Sequence, residues 1–455
     1  MSDLSVIILA AGQGTRMKSA LPKVLHELGA KPMLEHVVDT AMGLNASSCF
    51  VVYGHGGELV PKQLSHLPVQ WVLQAEQLGT GHAVDQATPH IQNADTVLVL
   101  YGDVPLITPK TLSELIKNVS DEQMSLLTAT LPNPSGYGRI VRDVSGQVQS
   151  IVEQKDATVE QLQIKEINTG MLAVKGDLLK RWLKRLENNN AQGEYYLTDI
   201  IAMAVKEGVT VRTCKAATLY EIEGVNNKLQ LAELERVYQR QQADRLMLEG
   251  ITLKDPARFD LRGQLSAGQD VVIDVDVVIE GKVTLGNNVS IGPFCQLRDC
   301  HIGNNVTVLS HCNLEGSTIG NDCSIGPFAR LRPETELADK AKIGNFVEVK
   351  KSQLGPGSKV NHLSYIGDTT MGSNVNIGAG TITCNYDGAN KHQTVIEDNA
   401  FIGSDTQLVA PVTIGEGATV GAGSTITHDA PPKQLTLSRA QQKSHKGWKR
   451  PSKNK

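Results

Sequence analysis

Residues 8–23 read ILAAGQGTRMKSALPK, residues 97–105 VLVLYGDVP, and residues 343–368 IGNFVEVKKSQLGPGSKVNHLSYIGD. Each sets chemically capable side chains among residues that build a core. In the first, a glycine-rich turn follows an apolar run, with Arg16 and Lys23 just beyond it. Bare N–H groups in such a turn approach phosphate oxygens closely, and the cations balance their charge. The Gly-Lys-Ser/Thr ending of a P-loop and the third glycine of the dinucleotide fingerprint are both missing. A plain strand-to-helix turn with surface cations is the competing reading. In the second stretch, Asp103 follows a continuous apolar run, at the carboxyl end of a strand, where open α/β sheets bind ligands. A carboxylate there suits Mg²⁺ held against phosphates, or it merely caps a turn.

The third stretch belongs to a repeat. An aliphatic residue recurs about every six positions from Ile273 through Ile279, Leu285 and Ile291 to Val349, Val360 and Ile366. Two residues before most beats stands a small residue, such as Cys295, Cys300, Cys312, Cys323, Ala329, Ala341 or Ser352. That is the signature of a hexapeptide β-helix, in which three units close one triangular coil. The four cysteines therefore fill core slots rather than bind a metal. The beat fails once, after Ile377, at GAGTITCNYDGANKHQTVIED, before Ile402 resumes it. A polar insertion of that kind is a loop thrown out of the coil.

Arg332 follows the beat Leu331 and Lys350 follows the beat Val349, 18 residues and one coil later. The two cations then stack on adjacent rungs roughly 4.8 Å apart, and like charges so placed need a bridging anion. Gly367 leaves space on the next rung, His362 lies at the corner before it, and Tyr365 stands on the same wall. A histidine beside an anion site can act as a general base near neutral pH. A merely solvated surface histidine is the bland alternative.

The elements that must position these groups form three regions. Residues 1–228 alternate strand-like runs with helical stretches, as an α/β domain on a mainly parallel, Rossmann-like sheet does. Residues 229–249 read as a linker helix, with Leu231, Leu234 and Tyr238 at helical spacing. Residues 250–455 hold the left-handed parallel β-helix and a tail that has eight Lys and Arg residues from Lys433 to Lys455 and no acidic residue. The first part of that tail could meet an anionic ligand, and residues after about 446 read as solvated.

The 455-residue chain has a net charge of −4, too mild for nucleic-acid binding. No stretch approaches the ~20 apolar residues of a membrane span. Seven cysteines without a CxxC pair argue against a disulfide framework and for a cytoplasmic protein. The opening MSDLSVIILAAG reads as a first buried strand, not a signal peptide.

Taken together, LAAGQGTRM, LPK, QAEQLGTGHA, YGDVP, GYGRI, EQKD and EINTG resemble the sugar-1-phosphate nucleotidyltransferases. With the β-helix behind them, residues 4–440 resemble the bifunctional N-acetylglucosamine-1-phosphate uridylyltransferase/glucosamine-1-phosphate acetyltransferase family. The resemblance implies that Leu9, Ala10, Ala11, Gly12, Arg16 and Lys23 hold the UTP phosphates. It implies that Gln74, Gly79 and Thr80 read uracil, near Tyr101 and Gly102. Asp103 and Asn226 would bind Mg²⁺, while Gly138, Glu153 and Asn168 face the sugar. Gln13 stands where relatives often carry Lys. In the second half, His362 would be the catalytic base, with Arg332, Lys350, Tyr365 and Asn376 on the aminosugar phosphate. Asn385 and Tyr386 would serve the sugar and acetyl-CoA, and Ala379, Ser404, Ala422 and Arg439 acetyl-CoA. Relatives assemble as homotrimers with small-molecule substrates and no nucleic-acid or membrane partner.

Two other readings share this architecture: a single-activity nucleotidyltransferase with a structural β-helix, and a non-catalytic assembly factor. The stacked cations and His362 speak against the first, and the retention of Arg16, Lys23 and Asp103 against the second.

Overall fold

The computed structural model describes residues 3–453. The chain forms two compact units, Met1–Tyr238 and Gln239–Lys455.

The first unit is built on a nine-stranded mixed sheet. Its strands are β1 (Leu4–Leu9), β2 (Ser48–Tyr53), β3 (Gln70–Leu73), β4 (Thr96–Tyr101), β5 (Gln123–Thr130), β6 (Arg139–Arg142), β7 (Val148–Val152), β8 (Glu166–Lys175) and β9 (Thr210–Lys215). They lie in the order β9-β5-β8-β4-β1-β2-β3, with β6 and β7 paired off β8. The segment β4-β1-β2-β3 is parallel, as the alternation of strands and helices anticipates. β8 runs antiparallel to both β4 and β5 because the chain reaches it through the β6–β7 hairpin, not through a crossover helix.

The apolar run of β1 is continuous because both faces of the sheet are covered. Ile7 and Leu9 join the core on one face, with Val84 of α2 (Thr80–Ala87) and Trp182 of α4 (Gly176–Leu183). Val6 and Ile8 join the other, with Leu34 of α1 (Met33–Met42) and Leu112 of α3 (Pro109–Ile116). Asp199–Lys206 forms α5 and Lys228–Leu248 forms α6. Leu234 of α6 is buried with Met17, Leu28 and Val225. Glu235 accepts the Gly29 N–H at 2.7 Å, which fixes the start of that helix to its own unit.

In the second unit, short strands pair in parallel, coil on coil, at offsets of 17 or 18 residues; Thr307 lies opposite Ser324, and Leu331 opposite Val349. The beat residues from Ile273 to Ile426 are buried, and so are the small residues two positions earlier, including all four repeat cysteines. The architecture is the left-handed parallel β-helix of hexapeptide repeats. Left-handed backbone turns its corners, often at Asn or Asp. One corner row carries aromatics: the rings of Phe294, His311, Phe328 and Phe346 stack at 4.9, 4.7 and 5.2 Å, with the three Phe about half exposed.

The repeat is interrupted less than its hydrophobic pattern implies. Thr383, not an aliphatic, takes the beat after Ile377; it is 1% exposed and lies opposite Leu408. Its hydroxyl accepts the Gly367 N–H at 2.8 Å and so meets the core as a satisfied group. Ile396 then lies opposite Met371, 25 positions on instead of 18, so seven extra residues form the loop. Among the described residues no helix is long and apolar enough to cross a membrane.

Candidate active sites

Because β1 and β4 are parallel neighbours with Leu9 opposite Tyr101, the loops leaving their carboxyl ends must meet. Gly102 N–H donates to the Leu9 carbonyl at 2.9 Å. A cavity of about 300 Å³ opens at this junction. Leu9, Ala10, Ala11, Gly12, Lys23, Gln74, Gly79, Thr80, Tyr101 and Asp103 line it, with Gln77 and Glu194, which sequence reading did not single out. Gln77 accepts a hydrogen bond from Gln13 at 3.2 Å, so the contact made by Gln13 is uncharged. Gly79 is required by its backbone: φ is 115°, and a side chain would meet the Tyr195 carbonyl oxygen at 2.6 Å.

The Lys23 ammonium is ion-paired with the Asp103 carboxylate, both side chains less than a fifth exposed. It also lies 3.3 Å from Asn226 Oδ1, to which Arg16 Nη2 donates at 2.9 Å. Val225 N–H bonds the Asp103 carbonyl at 2.9 Å and so brings Asn226 to the strand end from 123 positions away. Asp103 and Asn226 thus already converge on one cation, and the two oxygens fit a divalent ion completed by phosphate oxygens. Among the described residues no group of three or more His, Cys, Asp or Glu is placed to hold a metal by itself.

The residues expected to face the sugar adjoin this point. The Gly138 carbonyl accepts the Asn168 N–H at 2.9 Å, and Glu153 accepts from the Thr198 hydroxyl at 3.2 Å. A Cβ on Gly138 would press on Ile151 at 2.9 Å and on the Glu153 carboxylate, so glycine keeps that approach open. Burial pushes the Glu153 carboxyl above the ordinary range, and the charges of Asp156 and Asp199 add to the effect. Burial also pushes the Tyr101 phenol up, reinforced by Asp103 and Glu153, so its ring sits within the field of both carboxylates.

On the β-helix, Arg332 and Lys350 stack as their spacing requires: Arg332 N–H donates to the Val349 carbonyl at 2.9 Å, and Lys350 lies opposite Gly367. The stack carries a counter-charge of its own, because Glu348 takes a hydrogen bond from Arg332 Nη1 at 2.9 Å. The sequence argument overlooked this neighbour on the same wall. The room above Gly367 is taken by the Tyr365 ring, whose hydroxyl would lie 2.4 Å from a Cβ there. Asn385 reaches the Tyr365 hydroxyl at 3.5 Å and also bonds Asp368.

Lys391, from the inserted loop, is a cation that sequence reading missed. Its contact with Lys350 is the main reason the Lys350 ammonium sits below lysine's ordinary range, with lost hydration and Arg332 adding to it and Asp368 opposing. Three positive groups therefore face one patch.

His362 stands on the adjoining wall, across the Leu363–Ser364 corner from Tyr365. Its Nδ1 lies 2.8 Å from Asn345 Oδ1 on the preceding rung, in register. An amide oxygen only accepts, so Nδ1 carries a proton, and in the neutral ring the electron pair is then on Nε2. Asn376 is one rung on, opposite Lys359 rather than His362. Ala379, Ser404 and Ala422 climb successive rungs: the Ala379 carbonyl accepts Asp405 N–H at 2.7 Å, and the Ser404 carbonyl accepts Gly423 N–H at 2.8 Å. The Arg439 side chain lies over Gly423, which continues that column. Tyr386 stands apart, 60% exposed and bonded to the Gly388 carbonyl at 2.6 Å within its own loop. Residues 440–453 are exposed.

Comparison with known proteins follows the same division. Residues 6–151 match the MobA-like NTP transferase domain, residues 261–340 the GMPPB C-terminal domain, and residues 393–428 the bacterial transferase hexapeptide, six repeats. Over 453 residues, spanning all of both chains, the sequence is 58% identical to the bifunctional protein GlmU of Marinobacter nauticus. Two solved structures match 53% of the chain and all of their own length. One is a nucleotidyl transferase from Methanothermobacter, 19% identical with a TM-score of 0.39. The other is a UDP-glucose pyrophosphorylase complexed with UDP-glucose, 17% identical with a TM-score of 0.42.

Proposed function

The chain belongs to the family of the bifunctional protein GlmU, and from that membership we propose how its residues divide two successive transfers. The β-helix moves an acetyl group from acetyl-CoA to the amine of glucosamine-1-phosphate. The α/β unit then transfers uridylyl from UTP to N-acetylglucosamine-1-phosphate and releases pyrophosphate.

For acetyl transfer, Arg332, Lys350 and Lys391 bind the sugar phosphate, and Tyr365, Asn376, Asn385 and Tyr386 fit the ring and the acetyl donor. The Ala379–Ser404–Ala422–Arg439 column takes the coenzyme A moiety. The amine arrives protonated: His362 Nε2 takes one proton and so frees the nitrogen lone pair to attack the thioester carbon, and the second proton the nitrogen sheds goes to the departing thiolate, leaving amide and free thiol. Asn345 holds the ring in the tautomer that leaves Nε2 available.

For uridylyl transfer, the nucleophile is a phosphate oxygen that is already anionic, so no base is required. The Leu9–Gly12 backbone, Arg16 and Lys23 hold the triphosphate, and Gln74, Gly79 and Thr80 hold uracil. Gly138, Glu153 and Asn168 orient the sugar phosphate for in-line attack. Asp103 and Asn226 would hold Mg²⁺, which when bound offsets charge on the phosphoryl oxygens. Lys23 must then release Asp103 and turn to phosphate.

The observation that carries two reactions rather than one is the pairing of a cation cluster with an oriented imidazole on the β-helix. That unit needs neither for its packing. The exposed Phe294–Phe346 row supports a homotrimer, since neighbouring copies would cover an apolar edge. Seven free cysteines fit a cytoplasmic setting.

The test is His362→Ala. Thiol release from acetyl-CoA with glucosamine-1-phosphate should fall by about 10² or more, with pyrophosphate release from UTP and N-acetylglucosamine-1-phosphate unchanged. Loss of both activities, or of neither, would refute the division of roles.

A further inference from the structure

The cavity of the first unit fixes one hydrogen-bonding polarity at its Gln74 side. Gln74 is 3% exposed and lines the cavity. Its amide nitrogen lies 3.3 Å from the Gly79 carbonyl oxygen. A carbonyl only accepts, so the NH₂ end of the amide must face Gly79. That same nitrogen lies 3.0 Å from Nδ1 of His82, in the first turn of α2. The nitrogen is a donor, so Nδ1 must accept, and His82 is neutral with its proton on Nε2.

Both hydrogens of the amide are thereby spent on the protein. Among the described residues the Gln74 carbonyl oxygen has no partner, and it can only accept. Turning the amide over would set its oxygen against the Gly79 carbonyl, losing that hydrogen bond and creating a repulsion, and would keep the His82 contact only by moving the imidazole proton from Nε2 to Nδ1. The Gly79 carbonyl is itself held by the Ala83 N–H, which it accepts at 3.1 Å.

We propose that His82 is a positioning residue that, together with the Gly79 carbonyl, sets the pyrimidine specificity of the nucleotide site. By holding Gln74 with its oxygen toward the base, it favours uracil, which offers an N3–H donor. Cytosine offers an N3 lone pair there and meets acceptor against acceptor. The inference rests on the reading of Gln74 as a base contact and adds what determines its polarity. Thymine also carries N3–H and is not distinguished by this device.

The test compares His82→Phe, which keeps a ring but no acceptor, with His82→Asn, whose amide oxygen can accept near the place of Nδ1. Pyrophosphate release is measured with UTP and with CTP on the full-length enzyme. His82→Phe should lower the ratio of kcat/KM for UTP over CTP by about 5-fold, the value of one net hydrogen bond, mainly through KM for UTP. His82→Asn should restore most of it. Neither variant should change KM for the sugar phosphate, and acetyl transfer should persist in both.

A UTP/CTP ratio in His82→Phe within twofold of the parent overturns the inference, as does an Asn variant no better than Phe. Gln74→Ala separates the two layers. If it leaves KM for UTP unchanged, the base-contact reading itself fails. If it raises that KM while His82→Phe does not, only the role of His82 is refuted.

Discussion

Asn345→Ala is the substitution that most directly probes how the β-helix prepares its base. His362 is exposed, and among the described residues its ring has one hydrogen bond, from Nδ1 to Asn345 Oδ1 at 2.8 Å. The bonds from Ser364 Oγ and Gly380 N–H go to the His362 carbonyl and leave the imidazole free to turn. Removing the Asn345 acceptor therefore removes what holds ring orientation and tautomer. One net hydrogen bond contributes about 0.5–1.5 kcal/mol. At about 1.4 kcal/mol per tenfold, the productive fraction falls roughly 2- to 12-fold. Since Arg332, Lys350 and Lys391 are untouched, the loss belongs in kcat for acetyl transfer and not in KM for glucosamine-1-phosphate. Asn345→Asp keeps an acceptor at the same place and should retain most of the rate. Thiol release at saturating acetyl-CoA gives both constants, and pyrophosphate release checks the other unit. An unchanged kcat in Asn345→Ala, or a rise in KM at constant kcat, would refute the argument.

Lys391→Ala should raise KM for glucosamine-1-phosphate several-fold and weaken its salt dependence, as steady-state kinetics at two ionic strengths would show. The same loop contact predicts a proton signature. Lys350 is held below lysine's ordinary pKa, a bound phosphate raises it again, and binding at alkaline pH therefore takes up a proton. Calorimetry in buffers of different ionisation enthalpy should detect that uptake, and Lys391→Ala should diminish it. Burial raises the Glu153 pKa, so its carboxylate is lost at higher pH than an ordinary glutamate as acidity increases. The acid-side rise in KM for N-acetylglucosamine-1-phosphate should accordingly begin early, and Glu153→Gln should flatten it. Thr383→Val leaves the buried Gly367 N–H without its 2.8 Å acceptor and should cost about 1–3 kcal/mol in the unfolding transition of the β-helix, read by denaturant titration.

The apolar beats were legible because each coil repeats one local rule, and Ile273 through Val349 occupy the core as that rule requires. Thr383 escaped it, since a hydrophobic pattern cannot see a hydroxyl that the Gly367 backbone satisfies. The stacking of Arg332 and Lys350 followed from an 18-residue coil. Asn345 beneath His362 and Glu348 beneath Tyr365 lie 17 positions away, a step that differs from coil to coil and has no local mark. Lys391 owes its place to the loop, where Asp387 accepts N–H bonds from Ala389 and Asn390, and periodicity carries no information about that turn. In the first unit, the glycine turn and Asp103 each stood out singly. Their meeting depends on β1 lying beside β4, a long-range pairing that neither stretch encodes.

The parallel ladder of the second unit makes distance a discrete quantity. Side chains in one column can be separated only by whole multiples of the strand pitch, ~4.8 Å. A monophosphate ester suits donors one step apart, whereas a longer anion would call for two steps. Inserting an entire coil between Arg332 and Lys350 would thus exchange one ligand size for another, with the prism around it unstrained.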